Sequence, residues 1–126
     1  MKEPVWVLRE VVDMLHGQSL AQFGGGAGVR DEGLLDSALD RPQNLFAYGK
    51  PTPFALAASY AFGLVKNHPF IDSNKRVAFV VAVTFLELNG RHFTADEVDV
   101  TVRTLAAGAM SEAAFTAWLK ANTKRR

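Results

Sequence analysis

The sequence has no cysteine. Disulfide frameworks, thiolate nucleophiles and cysteine zinc sites are thereby excluded, and a reducing compartment is compatible with the chain. Net charge is scarce as well: 14 Lys and Arg against 13 Asp and Glu leave +1 at neutral pH. No strong field therefore points to nucleic acid or to an acidic membrane. Long apolar runs are missing. The longest, Val77 to Val83, falls far short of the roughly 20 residues that a membrane span needs. The start, Met1-Lys2-Glu3-Pro4, has an acid and a proline where a secretory leader needs an apolar run, so no leader is expected. Internal repeats are absent, and the one biased segment is the glycine cluster Gly24-Gly25-Gly26-Ala27-Gly28. What is present is a chain of 126 residues, 48% hydrophobic and 21% charged. That suits a single domain over residues 1–126, able to bury a core without staples.

Helical periodicity dominates. A first helix is predicted over 4–15, with Pro4 in its first turn, Val5, Leu8, Val12 and Leu15 on one face, and Gly17 as its stop. His16, at its end, reads as a surface residue. Residues 17–30 read as an irregular, flexible segment around the glycine cluster. A Walker loop fails there for want of Gly-Lys-Ser/Thr, and a dinucleotide fingerprint for want of its third glycine. A second helix is predicted over 31–41, capped by Asp31, lined by Leu34, Leu35, Ala38 and Leu39, and stopped by Pro42. Residues 44–51 read as a loop with exposed aromatics. Thr52-Pro53 opens a third helix to about Asn67, apolar nearly all round and hence central. A fourth runs from near Asn74 to about Leu88 and stops at Asn89-Gly90. Thr94-Ala95-Asp96-Glu97 is a capping box opening a helix to about Ala107. Ser111-Glu112 opens the last helix, with Phe115, Trp118 and Leu119 inward and a basic tail from Lys120. The class is all-α, with about six helices.

Between the two central helices lies His68-Pro69-Phe70-Ile71-Asp72-Ser73-Asn74-Lys75-Arg76. A calcium loop starting at Asp72 fails, because the positions that need Gly and Glu, 77 and 83, are both Val. Zinc is poorly served by one His, one acid and no Cys. Lys75 and Arg76 at a helix start oppose the helix dipole and are costly there unless an anion binds. As a set the residues suit phosphoryl-type transfer. His68 can act as base, and Asp72 can hold Mg²⁺ through one carboxylate. The Ser73 to Lys75 backbone N–H groups can cradle phosphate, and Lys75 and Arg76 can neutralise it. Phe70 and Ile71 would anchor the loop in the core.

This stretch closely resembles the signature loop of the Fic/Doc family, and within it the death-on-curing toxin branch. The resemblance implies a Fic-like bundle with the active-site loop between two central helices. It implies that His68 is the catalytic base, Asp72 the Mg²⁺ ligand, Phe70 the buried anchor, and Asn74 and Arg76 phosphate contacts. Lys75 stands where Fic adenylyltransferases have Gly. In the toxin branch a Lys there fills that space, ATP binds the other way round, and the γ-phosphate is transferred to a threonine of elongation factor Tu, arresting translation. Ser73 departs from the usual Gly or Ala. The segment Leu45–Pro53 falls where the family has a target-aligning flap.

The inhibitory motif of many Fic proteins is absent: the one Glu-Gly pair is Glu32-Gly33, and position 28 is Gly. The resemblance then implies a brake from a second chain, a Phd-type antitoxin whose C-terminal segment folds into a groove, with any DNA contact made through that complex. It also implies a bacterial cytoplasmic protein using ATP and Mg²⁺. Two alternatives stay open, a Fic-type protein adenylyltransferase and a non-enzymatic phosphate- or nucleic-acid-binding module.

Overall fold

Segments 53–67 and 77–88 are apolar on nearly every face, which makes them stable only when surrounded by other elements. In the computed structural model, which describes residues 3–95, 104 and 108–125, they are. Five helices occur among those residues: α1 (Arg9–Phe23), α2 (Glu32–Ala47), α3 (Pro53–Asn67), α4 (Asn74–Leu88) and α5 (Glu112–Ala121). α3 and α4 form the most extensively packed pair, α2 and α5 cover α3, and α1 lies on α4. Tyr60, Leu56, Leu64, Val77, Val81, Phe85 and Leu86 are fully enclosed between them. α5 closes one side with Phe115, Trp118 and Leu119, set against Phe62 and Phe79 as an aromatic cluster.

The all-α class holds, with one small addition. Arg91–Phe93 (β1) and Thr123–Arg125 (β2) form a two-stranded antiparallel ribbon, with Arg91 opposite Arg125 and Phe93 opposite Thr123. The basic tail is thus partly strand rather than only a helix end, and His92 sits on a strand beside Glu87. The helix predicted over 94–107 falls mainly on residues outside those described.

Two helices differ in extent from the sequence reading. α1 starts at Arg9 and runs through Gly17 to Phe23. Gly17 costs a helix interior some stability but does not break it; the stop is Gly24, at φ 79°. Residues 5–7 belong to no helix. The Asn89 side chain, at the end of α4, accepts from the Val5 N–H and donates to the Val5 carbonyl at 2.8 and 2.9 Å. The Val7 N–H donates to the buried Tyr60 hydroxyl at 3.1 Å. Val7 is therefore the inward residue, and Leu8 is exposed. α2 runs through Pro42 to Ala47. Proline withholds one helical hydrogen bond, but Pro42 is buried, and Phe46 beyond it packs on Trp6 at 5.7 Å between ring centres. Residues 44–47 are consequently helix, and the expected flap contracts to 48–52, with Tyr48 91% exposed. α3 begins as read, its Thr52 hydroxyl accepting from the Ala55 N–H.

Candidate active site

The nine-residue stretch is the turn from α3 into α4. His68 ends α3 in the left-handed conformation, at φ 49° and ψ 54°, with its side chain exposed. Phe70 is 1% exposed and is the buried anchor. Ile71 is not a second anchor: it is 50% exposed and lies over the glycine loop. Asp72 is exposed, and Ser73, at φ 68° and ψ 18°, turns the chain into α4. Non-glycine residues at positive φ store strain of order 1–3 kcal/mol and cluster where function demands them. His68 and Ser73 are the two among the described residues, one at each end of the turn.

Asn74 holds the turn shut. It is 2% exposed; its Oδ1 accepts from the Phe70 N–H at 2.8 Å and its Nδ2 donates to the Phe70 carbonyl at 2.9 Å. Each such bond contributes on the order of 1 kcal/mol, and either half left unpaired would cost more. The Asn74 side chain, read from the sequence as a phosphate contact, is thus engaged with Phe70. What this residue can still offer an anion is its backbone N–H.

The segment read as a flexible loop is the wall of the site. The Gly26 N–H donates to Asp72 Oδ2 at 2.8 Å. The Gly28 carbonyl accepts from Ile71, and the Pro69 carbonyl accepts from Arg30 and Asp31. A Cβ on Gly25 would stand 3.1 Å from Asp72 Cβ, and one on Gly26 3.0 Å from Ile71 Cγ2. The glycines are there because the backbone approaches that closely, and Gly25 adds a φ of 121°. Arg30, unremarked in the sequence, donates through Nε to the His68 carbonyl at 2.8 Å and through Nη2 to the Asn67 carbonyl at 3.0 Å. It satisfies carbonyls that the end of α3 leaves unpaired. His16 is a correction: it is buried, its ring stacked on Phe70 at 3.9 Å and its Nε2 2.9 Å from the Asp72 carbonyl oxygen. The signal was available, since Val12, His16 and Ser19 share one helical face and all are buried.

At the start of α4 the chemistry is positive. Its first turn contains no acid, and the Ser73 hydroxyl makes no cap bond. The N–H groups of a helix's first turn have no intrahelical acceptor. Lys75 is exposed and pairs with no acid among the described residues. The Arg76 guanidinium lies 3.8 Å above the Phe23 ring. Asp72 carries no ion pair among the described residues, and Gly26 engages Oδ2, leaving Oδ1. No group of three or more His, Cys, Asp or Glu among them could hold a metal alone. A divalent ion here would take one carboxylate from the protein and the rest of its shell from phosphate oxygens and water, as Mg²⁺ commonly does.

A model of the Fic/DOC family matches residues 6–86. The chain is 45% identical over 87 residues to Toxin Doc of Mycolicibacterium smegmatis, covering 67% of this chain and 65% of that protein. It is 35% identical over 77 residues to Protein kinase doc of Escherichia phage P1, covering 60% and 61%. The matches thus span somewhat under two thirds of each relative's length.

Proposed function

The chain belongs to the Fic/DOC family, and from that premise we propose that it is the toxin of a type II toxin–antitoxin module, a Mg-ATP-dependent kinase that phosphorylates a threonine of elongation factor Tu and so arrests translation. The observation that carries the reading is the cationic start of α4: no acid in its first turn, no side-chain cap on its N–H groups, and Lys75 exposed beside them. A fold tolerates that unfavourable charge where an anion is to be bound.

The exposed His68 imidazole takes the proton of the acceptor hydroxyl as that oxygen attacks the terminal phosphorus of ATP. The new O–P bond forms, the bond to the bridging oxygen breaks, and ADP departs. Lys75, Arg76 and the first-turn amides of α4 bear the phosphate charge. Asp72 would hold Mg²⁺ through its carboxylate, and the ion would supply positive charge to the nucleotide phosphates. Names of relatives support kinase and toxin activity: one is called Toxin Doc and the other Protein kinase doc. No helix among the described residues is long and apolar enough to cross a membrane, which is compatible with action in the bacterial cytoplasm. A Phd-type antitoxin is the partner this reading requires, and DNA contact would come through that complex.

The test is incubation of the chain with Mg²⁺, elongation factor Tu and ATP labelled at either the α- or the γ-phosphate. Incorporation of γ-label alone is expected. Incorporation of α-label alone would instead establish the second reading, AMP transfer, which the broader family favours. Loss of growth arrest in His68→Ala and Asp72→Ala is expected, and arrest that survives both would point to a non-enzymatic module.

A further inference from the structure

His16 is a buried side chain that the reaction above does not use. It sits in α1, 56 residues before the acid it touches. A carbonyl oxygen only accepts, so at 2.9 Å from it His16 Nε2 must carry a hydrogen. The same ring lies 3.9 Å from the Phe70 ring, tilted by 16°. His16 therefore grips the active-site turn twice, on its buried anchor and on the peptide before Ser73.

That second grip has a consequence for the acid. Asp72 is held at both ends, its carbonyl oxygen by His16 Nε2 and its carboxylate Oδ2 by the Gly26 N–H. Two fixed points orient a short side chain and leave Oδ1 as the uncommitted oxygen. The Asp72–Ser73 peptide is trans, so the Ser73 N–H points opposite to the carbonyl. Holding the carbonyl against α1 aims that N–H away from α1. It also sets the peptide from which Ser73 enters its left-handed conformation at φ 68°.

We propose that His16 is a positioning residue for the transfer reaction: its Nε2–H bond to the Asp72 carbonyl holds the acid and the start of α4 in the geometry that receives a metal-bound nucleotide. The last part of this statement rests on the function proposed above; the hold on the turn does not. Outer contacts of this kind, which orient a metal-binding group, are typically worth 10–100-fold in affinity or activity.

The test compares the full-length chain with His16→Leu and His16→Gln. Leucine fills the space without a donor, whereas the glutamine amide can still donate to the carbonyl. Amide hydrogen exchange without nucleotide reads the turn directly, through Gly26 and Ile71, whose N–H groups cross between it and the glycine loop. Calorimetry with Mg-ATP reads binding, and transfer kinetics read kcat and KM. In His16→Leu, exchange at both amides should quicken at least tenfold, Mg-ATP affinity should fall about tenfold, and kcat should fall with KM for the protein acceptor unchanged. His16→Gln should recover most of each. Unchanged exchange and binding in His16→Leu, or no better behaviour in His16→Gln, would overturn the proposal. If the unsubstituted chain neither binds Mg-ATP nor transfers phosphate, the kinase reading falls, and with it the claim about nucleotide; exchange still decides whether His16 holds the turn.

Discussion

The Gly26 backbone N–H donates to Asp72 Oδ2 at 2.8 Å across 46 residues of sequence. That bond makes the glycine loop part of the site. A Cβ at Gly25 would meet Asp72 Cβ at 3.1 Å and Leu20 Cδ2 at 3.2 Å, at a φ of 121° that L residues rarely adopt. Gly25→Ala should displace the acid and lower transfer at least tenfold. Gly17 is the contrast, since nothing lies within 4 Å of the point where its Cβ would stand. Gly17→Ala should raise stability by about 0.5–1 kcal/mol and leave transfer unchanged. Urea unfolding and the labelled-ATP assay on both variants check the pair.

Ser73 occupies the left-handed region, and its hydroxyl makes no cap bond. Glycine forgoes no cap bond there and relieves the strain, against the added freedom of its unfolded chain. Ser73→Gly should therefore be more stable by about 0.5–1 kcal/mol, read as a higher urea midpoint at constant slope.

Arg30 bonds the His68 and Asn67 carbonyls together. Arg30→Ala should cost roughly 1–3 kcal/mol, as expected for lost bonds from a charged donor. It should also lower kcat by loosening His68, the proposed base. Arg30→Lys should recover less than half of the stability, because an ammonium cannot reproduce the fork. Thermal unfolding and transfer assays separate the two effects.

Lys75 projects from the first turn of α4 without an acidic partner among the described residues. If its bulk and charge decide which way the triphosphate lies, Lys75→Gly should lose γ-label transfer and gain α-label transfer. Loss of both labels would reject the steric part of that argument while leaving Lys75 a phosphate contact.

Tyr60 is sealed in the core, its hydroxyl accepting from the Val7 N–H, and burial pushes its pKa from 10.0 up to about 12. Below about pH 10 the phenol is neutral in both the folded and the unfolded chain, and its contribution to stability is complete. Between there and about pH 12 the unfolded chain ionises and the folded one does not. The folded state then binds more protons, so stability falls as pH rises, by at most about 1.4 kcal/mol per unit. Tyr60→Phe should flatten this alkaline loss, and should cost about 1 kcal/mol near neutrality through the orphaned Val7 N–H. Urea midpoints across the alkaline range test both parts.

Local order along the chain was legible where one segment's own pattern decides it. Thr52-Pro53 starts a helix through a hydroxyl that reaches three residues on. The apolar runs of α3 and α4 must be interior whatever surrounds them. The nine-residue turn between them carries its polar and charged residues contiguously, so its family resemblance, and the base, acid and cations proposed from it, could be named from the sequence. Residues acting across the chain could not. Gly17 and Pro42 carry local signals for a helix end, and packing overrode both: Pro42 is buried and Phe46 beyond it docks on Trp6. The Gly24–Gly28 cluster has the composition of a mobile loop. It became a wall only because Asp72 and Ile71 come within a carbon's width of it. Arg30 and His16 have no chemistry of their own in the sequence; each acquires a role from a carbonyl dozens of residues away. The sequence alone established which helix faces are apolar and which polar and charged residues stand together in the turn. Only the tertiary structure decided which backbone oxygens those side chains reach, because that depends on how helices distant in sequence come to lie against one another.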